Sequence, residues 1–96
     1  MNACVYILKT TRSSRYYTGS TTDLNRRLAE HNANRVKATA GKGPWSLATM
    51  VEFNTAANAR KAEYYLKRQK SRKTTESVVE GLFDWPQGMA AGIVRH

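Results

Sequence analysis

The chain has 96 residues, which is one domain with a modest core and too short for two. Apolar residues make up 41% and charged residues 24%, a globular balance that excludes a disordered chain. Lys and Arg number 16 against 7 Asp and Glu, and the resulting net charge of +9 calls for a polyanionic partner, most commonly nucleic acid.

Cys4-Val5-Tyr6-Ile7-Leu8 is short, apolar and β-rich, and predicts a buried strand. No charged leader precedes it and no cleavage site follows, so it does not read as a signal peptide. Cys4 is the single cysteine, which excludes an internal disulfide and a cysteine-based zinc site and fits a reducing cytoplasm. Lys9 to Arg15 is polar, with Ser13-Ser14 as turn residues. Tyr16-Tyr17-Thr18 resumes β character and stops at Gly19, so residues 4–8 and 15–19 predict a hairpin. Gly19 is expected to permit a backbone turn that a Cβ would hinder. On pattern alone, Tyr6 and Tyr17 also read as ordinary strand aromatics.

Thr22 is the expected N-cap of a first helix, with Asp23 in its first turn against the positive end of the dipole. Leu24, Arg27, Leu28 and His31 then fall at i, i+3, i+4 and i+7, on one face. Half of that face is polar, so Arg27 and His31 must meet a polar cavity or a ligand, or snorkel at its edge. Asn32 to Asn34 and Val36 end the helix. Residues 35–44 are expected to form a basic, mobile loop with Arg35, Lys37 and Lys42.

Trp45 to Phe53 predicts a third strand with Trp45, Leu47, Thr49 and Val51 on one side. Thr55 is the N-cap candidate for a helix from Ala56 to about Ser71. Its stripe is Ala59, Ala62, Glu63 and Leu66, one charge in an apolar row, while Arg60, Lys61, Lys67, Arg68 and Lys70 populate other faces. A short third helix is expected from about Thr74 to Leu82. Asp84 to His96 holds Pro86, Gly88 and Gly92 without a period and reads as a loose tail. No apolar run approaches the roughly 20 residues that span a bilayer, so no membrane partner is expected.

Two tyrosines, an arginine, an imidazole and a carboxylate are therefore the chemistry-bearing groups of the chain. Together they are what cutting a phosphodiester with one metal ion requires. At this point the sequence resembles the GIY-YIG nucleases. The first motif stands here as Cys4-Val5-Tyr6 and the second as Tyr17-Thr18-Gly19, eleven positions apart by their tyrosines. The resemblance runs on through Ser20-Thr21-Thr22-Asp23-Leu24, Arg26-Arg27-Leu28, His31-Asn32, Pro44-Trp45, Glu52-Phe53, Ala62-Glu63 and Leu66-Lys67. It is greatest to the small stand-alone bacterial members and covers about residues 3–83, a nuclease-like domain of residues 1–83 with residues 84–96 as tail. Cys4 replaces the first glycine and Thr18 an isoleucine, both at backbone or packing positions. Many members place an asparagine after the glutamate; here none follows Asn58, leaving that role vacant or to Lys70 or Ser71.

The resemblance implies an α+β fold, a three-stranded antiparallel sheet flanked by two to three helices. It also implies a metal-dependent endonuclease acting on DNA with low sequence specificity. Glu63 would hold Mg2+ or Mn2+, whose hard character suits a carboxylate. Pairing of Glu63 with a lysine or arginine on its own helix is the plainer alternative. Arg27 would meet the scissile phosphate, with Arg26 as an ordinary basic neighbour. Tyr6 and Tyr17 would line the pocket, Tyr6 as base candidate and Tyr17 as positioner. His31 could be the base instead, could take a proton from a tyrosine, or could simply bond a carbonyl at the helix end. Arg35, Lys37, Lys42, Lys67, Arg68, Lys70, Arg72 and Lys73 are candidates for sequence-independent backbone contacts. Trp45 reads as core rather than as a base-stacking platform. The expected partner is DNA or, failing that, RNA, and a monomer is favoured. An inactive nucleic-acid-binding module on the same fold is the alternative.

Overall fold

The computed structural model describes residues 2–94. Its elements are β1 (Ala3–Thr10), β2 (Tyr16–Thr21), α1 (Leu24–Asn32), β3 (Trp45–Phe53), α2 (Ala56–Gln69), α3 (Arg72–Val79) and the one-turn α4 (Gln87–Ala90). The strands form a three-stranded antiparallel sheet in the order β2-β1-β3, and the fold is the expected α+β. β1 is the central strand and is buried on both faces, which explains its unbroken apolar run. Alternation sends Ala3, Val5 and Ile7 to one face, against Ala59, Ala62 and Leu66 of α2 and Val78 of α3. It sends Cys4, Tyr6 and Leu8 to the other, beneath Leu24 and Leu28 of α1.

β3 departs from the predicted alternation. Its pairing with β1 slips between Ile7↔Thr49 and Leu8↔Leu47, leaving Ala48 as the extra residue of a bulge. A one-residue slip exchanges the two faces. Val51 and Phe53 therefore pack against the α2 face, while Trp45 packs beside Tyr6 and Leu8. Leu47 shares the Trp45 side but is left 40% exposed, while Thr49 and Val51 lie on the opposite side.

Local hydrogen bonding sets the helix ends. Asp23, not Thr22, caps α1: its carboxylate accepts from the Arg26 amide at 3.2 Å, while Thr21 Oγ1 accepts from the Asp23 amide at 3.0 Å. Thr55 caps α2 as predicted, accepting from the Asn58 amide at 3.0 Å. α2 stops at Gln69 because Lys70 takes a left-handed φ of 48°. Ser71 then caps α3, which starts at Arg72 and ends at Val79 rather than spanning Thr74 to Leu82.

Two segments expected to be loose are packed. In the α1–β3 connection, Val36 and Thr39 are buried. Asn32 brackets the loop's far end, donating to the Trp45 carbonyl at 3.0 Å and accepting from the Trp45 amide at 2.7 Å. After α3, Trp85 meets Phe53 and Phe83 with ring centroids 5.8 and 4.8 Å away. The chain then returns to the end of β3, where the Val94 amide donates to the Glu52 carbonyl at 2.8 Å and the Asn54 amide to that of Gly92 at 2.9 Å. Residues 84–94 are thus ordered by aromatic burial and main-chain pairing; Arg95 and His96 of the expected tail lie outside the described residues. No helix among the described residues is long and apolar enough to cross a membrane.

Candidate active site

Tyr6 pairs directly with Gly19 across β1 and β2. Its ring lies over that glycine: a Cβ there would stand 2.5 Å from the Tyr6 hydroxyl. Gly19 is therefore needed inside the strand for close approach by a side chain, not for the turn that the sequence predicted. Gly19→Val should expel the phenol or overpack the site, lowering stability by about 1–3 kcal/mol. A urea midpoint no lower than that of the parent would contradict this packing. Tyr17 lies on the same face of β2, its ring centroid 6.4 Å from Tyr6 and 4.9 Å from His31. Trp45, buried as core, closes that side at 6.5 Å from Tyr17.

From α1, one turn apart, come Arg27 and His31. The imidazole is fully buried, with Nε2 2.8 Å from the Tyr6 hydroxyl and Nδ1 2.7 Å from Thr39 Oγ1. It thus bonds two hydroxyls instead of a helix-end carbonyl. The Arg27 guanidinium lies near enough to the Tyr6 phenol to favour its ionised form, and donates to Glu30 Oε1 at 3.1 Å. Arg26, its side chain 76% exposed, only pairs with Glu30 at 3.5 Å.

Burial dominates the titration of the buried pair. It pushes the Tyr6 phenol up to about 12, opposed by Arg27 and reinforced by Tyr17 and Glu63. Burial, then the Arg27 charge, depresses His31, with Glu30 acting the other way. The substrate-free site therefore holds a protonated phenol against a neutral imidazole. An unfolded chain binds a proton at His31 as the pH falls below the ordinary value of 6.5, whereas the folded chain resists it. His31 should thus subtract stability below that pH and contribute no pH dependence above it. Denaturation of wild type and His31→Gln on both sides of that value checks this; parallel pH profiles would contradict it.

Glu63 sits on α2 facing β2, its side chain 22% exposed. Ser20 Oγ donates to Oε1 at 2.5 Å and the Lys67 ammonium to Oε2 at 2.6 Å, so the pairing with a lysine on its own helix is present. Lys67 also lies over the Tyr17 ring, 5.3 Å from its centroid. No cluster of three or more His, Cys, Asp or Glu side chains able to hold a metal occurs among the described residues. Whether a divalent ion fits therefore turns on Glu63 itself. Its carboxylate already holds a cation, the ammonium, at 2.6 Å. Magnesium and manganese retain several waters and take substrate oxygens as further ligands, so one partly exposed carboxylate suits them.

A model of the GIY-YIG catalytic domain matches residues 2–76. The chain belongs to the GIY-YIG family. That places it in a nuclease family, with the two motifs on β1 and β2 and their tyrosines converging as described. A UPF0213 protein of Halobacterium salinarum is 40% identical over 75 residues, covering 77% of this chain and 95% of the relative. One of Halalkalibacterium halodurans is 38% identical over 79 residues, covering 81% and 83%. The solution NMR structure of a UPF0213 protein from Bacillus halodurans shares the fold, with a TM-score of 0.53 and 37% identity over 83% of this chain and 84% of that one.

Two clefts flank the centre of this GIY-YIG domain. One, of about 350 Å³, is lined by Ser20, Asp23, Arg26, Arg27, Glu30 and Arg60. The other, of about 390 Å³, is lined by Tyr17, Lys67, Lys70, Ser71 and Arg72. Glu63 lines neither cleft, but its partner Ser20 borders the first and its partner Lys67 the second. Arg72 is engaged in the fold: it donates to the Ser14 carbonyl, pairs with Glu76 at 3.5 Å and lies over Tyr16 at 4.9 Å. Arg68 lies over the exposed Tyr64 at 5.5 Å. Lys73 is exposed at the start of α3, while Arg35, Lys37 and Lys42 are exposed on the α1–β3 loop, and none of these four lines either cleft. Ser71 is occupied as an N-cap, accepting from the Thr74 amide at 3.2 Å, so it does not stand free for the absent asparagine's role.

Ser20 and Thr39 were not singled out from the sequence. Ser20 could have been: it follows Gly19 in a strand whose alternation sends it to the α2 face, opposite Tyr17 and Gly19. Thr39 carries no such signal.

Proposed function

We propose that this GIY-YIG protein is a metal-dependent endonuclease that hydrolyses phosphodiester bonds in DNA with low sequence specificity. The grouping of Tyr6, Tyr17, Arg27 and His31 on one side of the sheet, with Glu63 across strand β2 and linked to Tyr17 through Lys67, carries this reading. Arg27 offers the scissile phosphate a planar fork as negative charge builds. Glu63, oriented by Ser20, would hold Mg2+ or Mn2+ in place of the Lys67 ammonium. A divalent ion there would supply Lewis-acid neutralisation of the phosphate.

The protein's own groups handle the proton. A phenol held near 12 is not ionised at neutral pH, so Tyr6 needs an acceptor for its proton, and His31 Nε2 stands 2.8 Å away. Water loses a proton to the Tyr6 oxygen as the phenol proton passes to His31. The water oxygen bonds to phosphorus, and the leaving oxygen departs to be protonated by solvent. Tyr17, packed at a tilt beside both rings, positions water or phosphate. Lys67, Lys70 and the exposed cations of the loop and of α3 contact the sugar-phosphate backbone, which carries no sequence information and makes binding salt-sensitive. The protein acts as a monomer, and the free buried Cys4 suits the reducing cytoplasm.

The Glu63–Lys67 pair favours a second reading, a nucleic-acid-binding module without cleavage. Incubation of single-stranded, duplex and branched DNA with magnesium or manganese, with RNA as competitor, separates the two. Cleavage of at least one DNA form supports the nuclease; tight, salt-sensitive binding without cleavage under either metal supports the module.

A further inference from the structure

A line of buried polar groups runs from the proposed centre into the fold. The Tyr6 hydroxyl lies 2.8 Å from His31 Nε2, His31 Nδ1 lies 2.7 Å from Thr39 Oγ1, and Thr39 Oγ1 lies 3.4 Å from the Val36 carbonyl oxygen. Tyr6, His31 and Thr39 are each no more than 1% exposed, so the line is shielded from bulk water. No buried side-chain nitrogen or oxygen among the described residues lacks a partner.

The direction of the line follows from matching donors to acceptors. A carbonyl only accepts, whereas a neutral imidazole has one nitrogen of each kind. Thr39 Oγ1 gives its proton to the Val36 carbonyl, so it accepts from His31 Nδ1, and Nε2 is left to accept from the Tyr6 hydroxyl. With Nε2 accepting, the ring proton sits on Nδ1. The reverse direction would bury a phenol O–H without an acceptor, a costly arrangement, and would break the Thr39–Val36 contact.

We propose that Thr39 is a positioning residue that fixes His31 as the Nδ1–H tautomer and thereby presents the Nε2 lone pair to Tyr6. The inference deepens the reading of Tyr6 and His31 as the proton path and rests on it, yet the tautomer is observable without any cleavage. Thr39 belongs to the loop that carries Arg35, Lys37 and Lys42. The segment offered to the phosphate backbone is thus also the one that holds the imidazole. Valine reproduces the shape of threonine without an acceptor, whereas serine keeps the oxygen.

Nitrogen-15 NMR of histidine-labelled protein, free of metal and DNA, tests this directly, because proton couplings show which ring nitrogen of His31 is protonated. The expected result is Nδ1–H in the wild type and in Thr39→Ser, with the two tautomers mixed or exchanged in Thr39→Val. In cleavage assays Thr39→Val should lower kcat by about 10–100-fold with KM unchanged, and Thr39→Ser should restore most of it. A wild-type ring protonated at Nε2 overturns the proposal, as does a Thr39→Val protein with unaltered tautomer and kcat. Should Thr39→Val fail to fold, the wild-type and Thr39→Ser spectra decide. A wild type that cuts no substrate overturns the nuclease reading, while the ring spectra still decide the role of Thr39.

Discussion

Arg27→Ala is expected to lower DNA cleavage by about 10²–10³-fold, the usual cost of removing one donor aimed at developing charge. Binding should survive, because the substitution removes one cation from a chain of net charge +9 and reduces the salt slope by about one. Folding should survive as well: the side chain is 38% exposed, and Glu30 keeps Arg26 as a partner. Arg27→Lys should not restore activity, since a point charge cannot hold two phosphate oxygens in a plane. Arg26→Ala is the matched control, losing an equal charge from a side chain that does not reach Tyr6. Equal losses from the two alanine variants would move the effect from catalysis to general electrostatics.

Glu63→Gln should remove the cleavage supported by magnesium or manganese while leaving binding intact or slightly tighter. The amide keeps an oxygen for the Ser20 hydroxyl at Oε1, so the packing between α2 and β2 persists. The charge that attracts a divalent ion disappears, and Lys67 is released towards the second cleft. Losing metal-based charge stabilisation of several kcal/mol corresponds to about 10³-fold in rate. Cleavage that persists in Glu63→Gln and still needs metal would place the ion elsewhere.

The parts legible in the sequence are those with a periodic signal. Arg27 and His31 break an apolar stripe on α1 and meet the face that holds Tyr6 and Tyr17; Glu63 breaks one on α2 and lies across β2, linked to Tyr17 through Lys67. Strand β3 was placed by its ends, but its facing was not, because the bulge at Ala48 arises from pairing with β1 and leaves no local mark. Thr39 was hidden for a similar reason: a threonine in a basic connection gains meaning only when the turn folds it eight residues back onto His31. The tail misled by its glycines and proline. Its order comes from Trp85 and Ile93 finding Phe53, contacts that no sequence period encodes. Gly19 is legible as a required glycine, yet its cause is a phenol from the neighbouring strand and not its own backbone.

Cleavage of labelled DNA by the wild-type protein, titrated with magnesium or manganese and quenched by a chelator, tests the central claim most directly. The account predicts cleavage that rises with metal, stops on chelation and is lost in Arg27→Ala at unchanged DNA binding. Binding without cleavage of any DNA form at any metal concentration, or cleavage equal in wild type and Arg27→Ala, would contradict it.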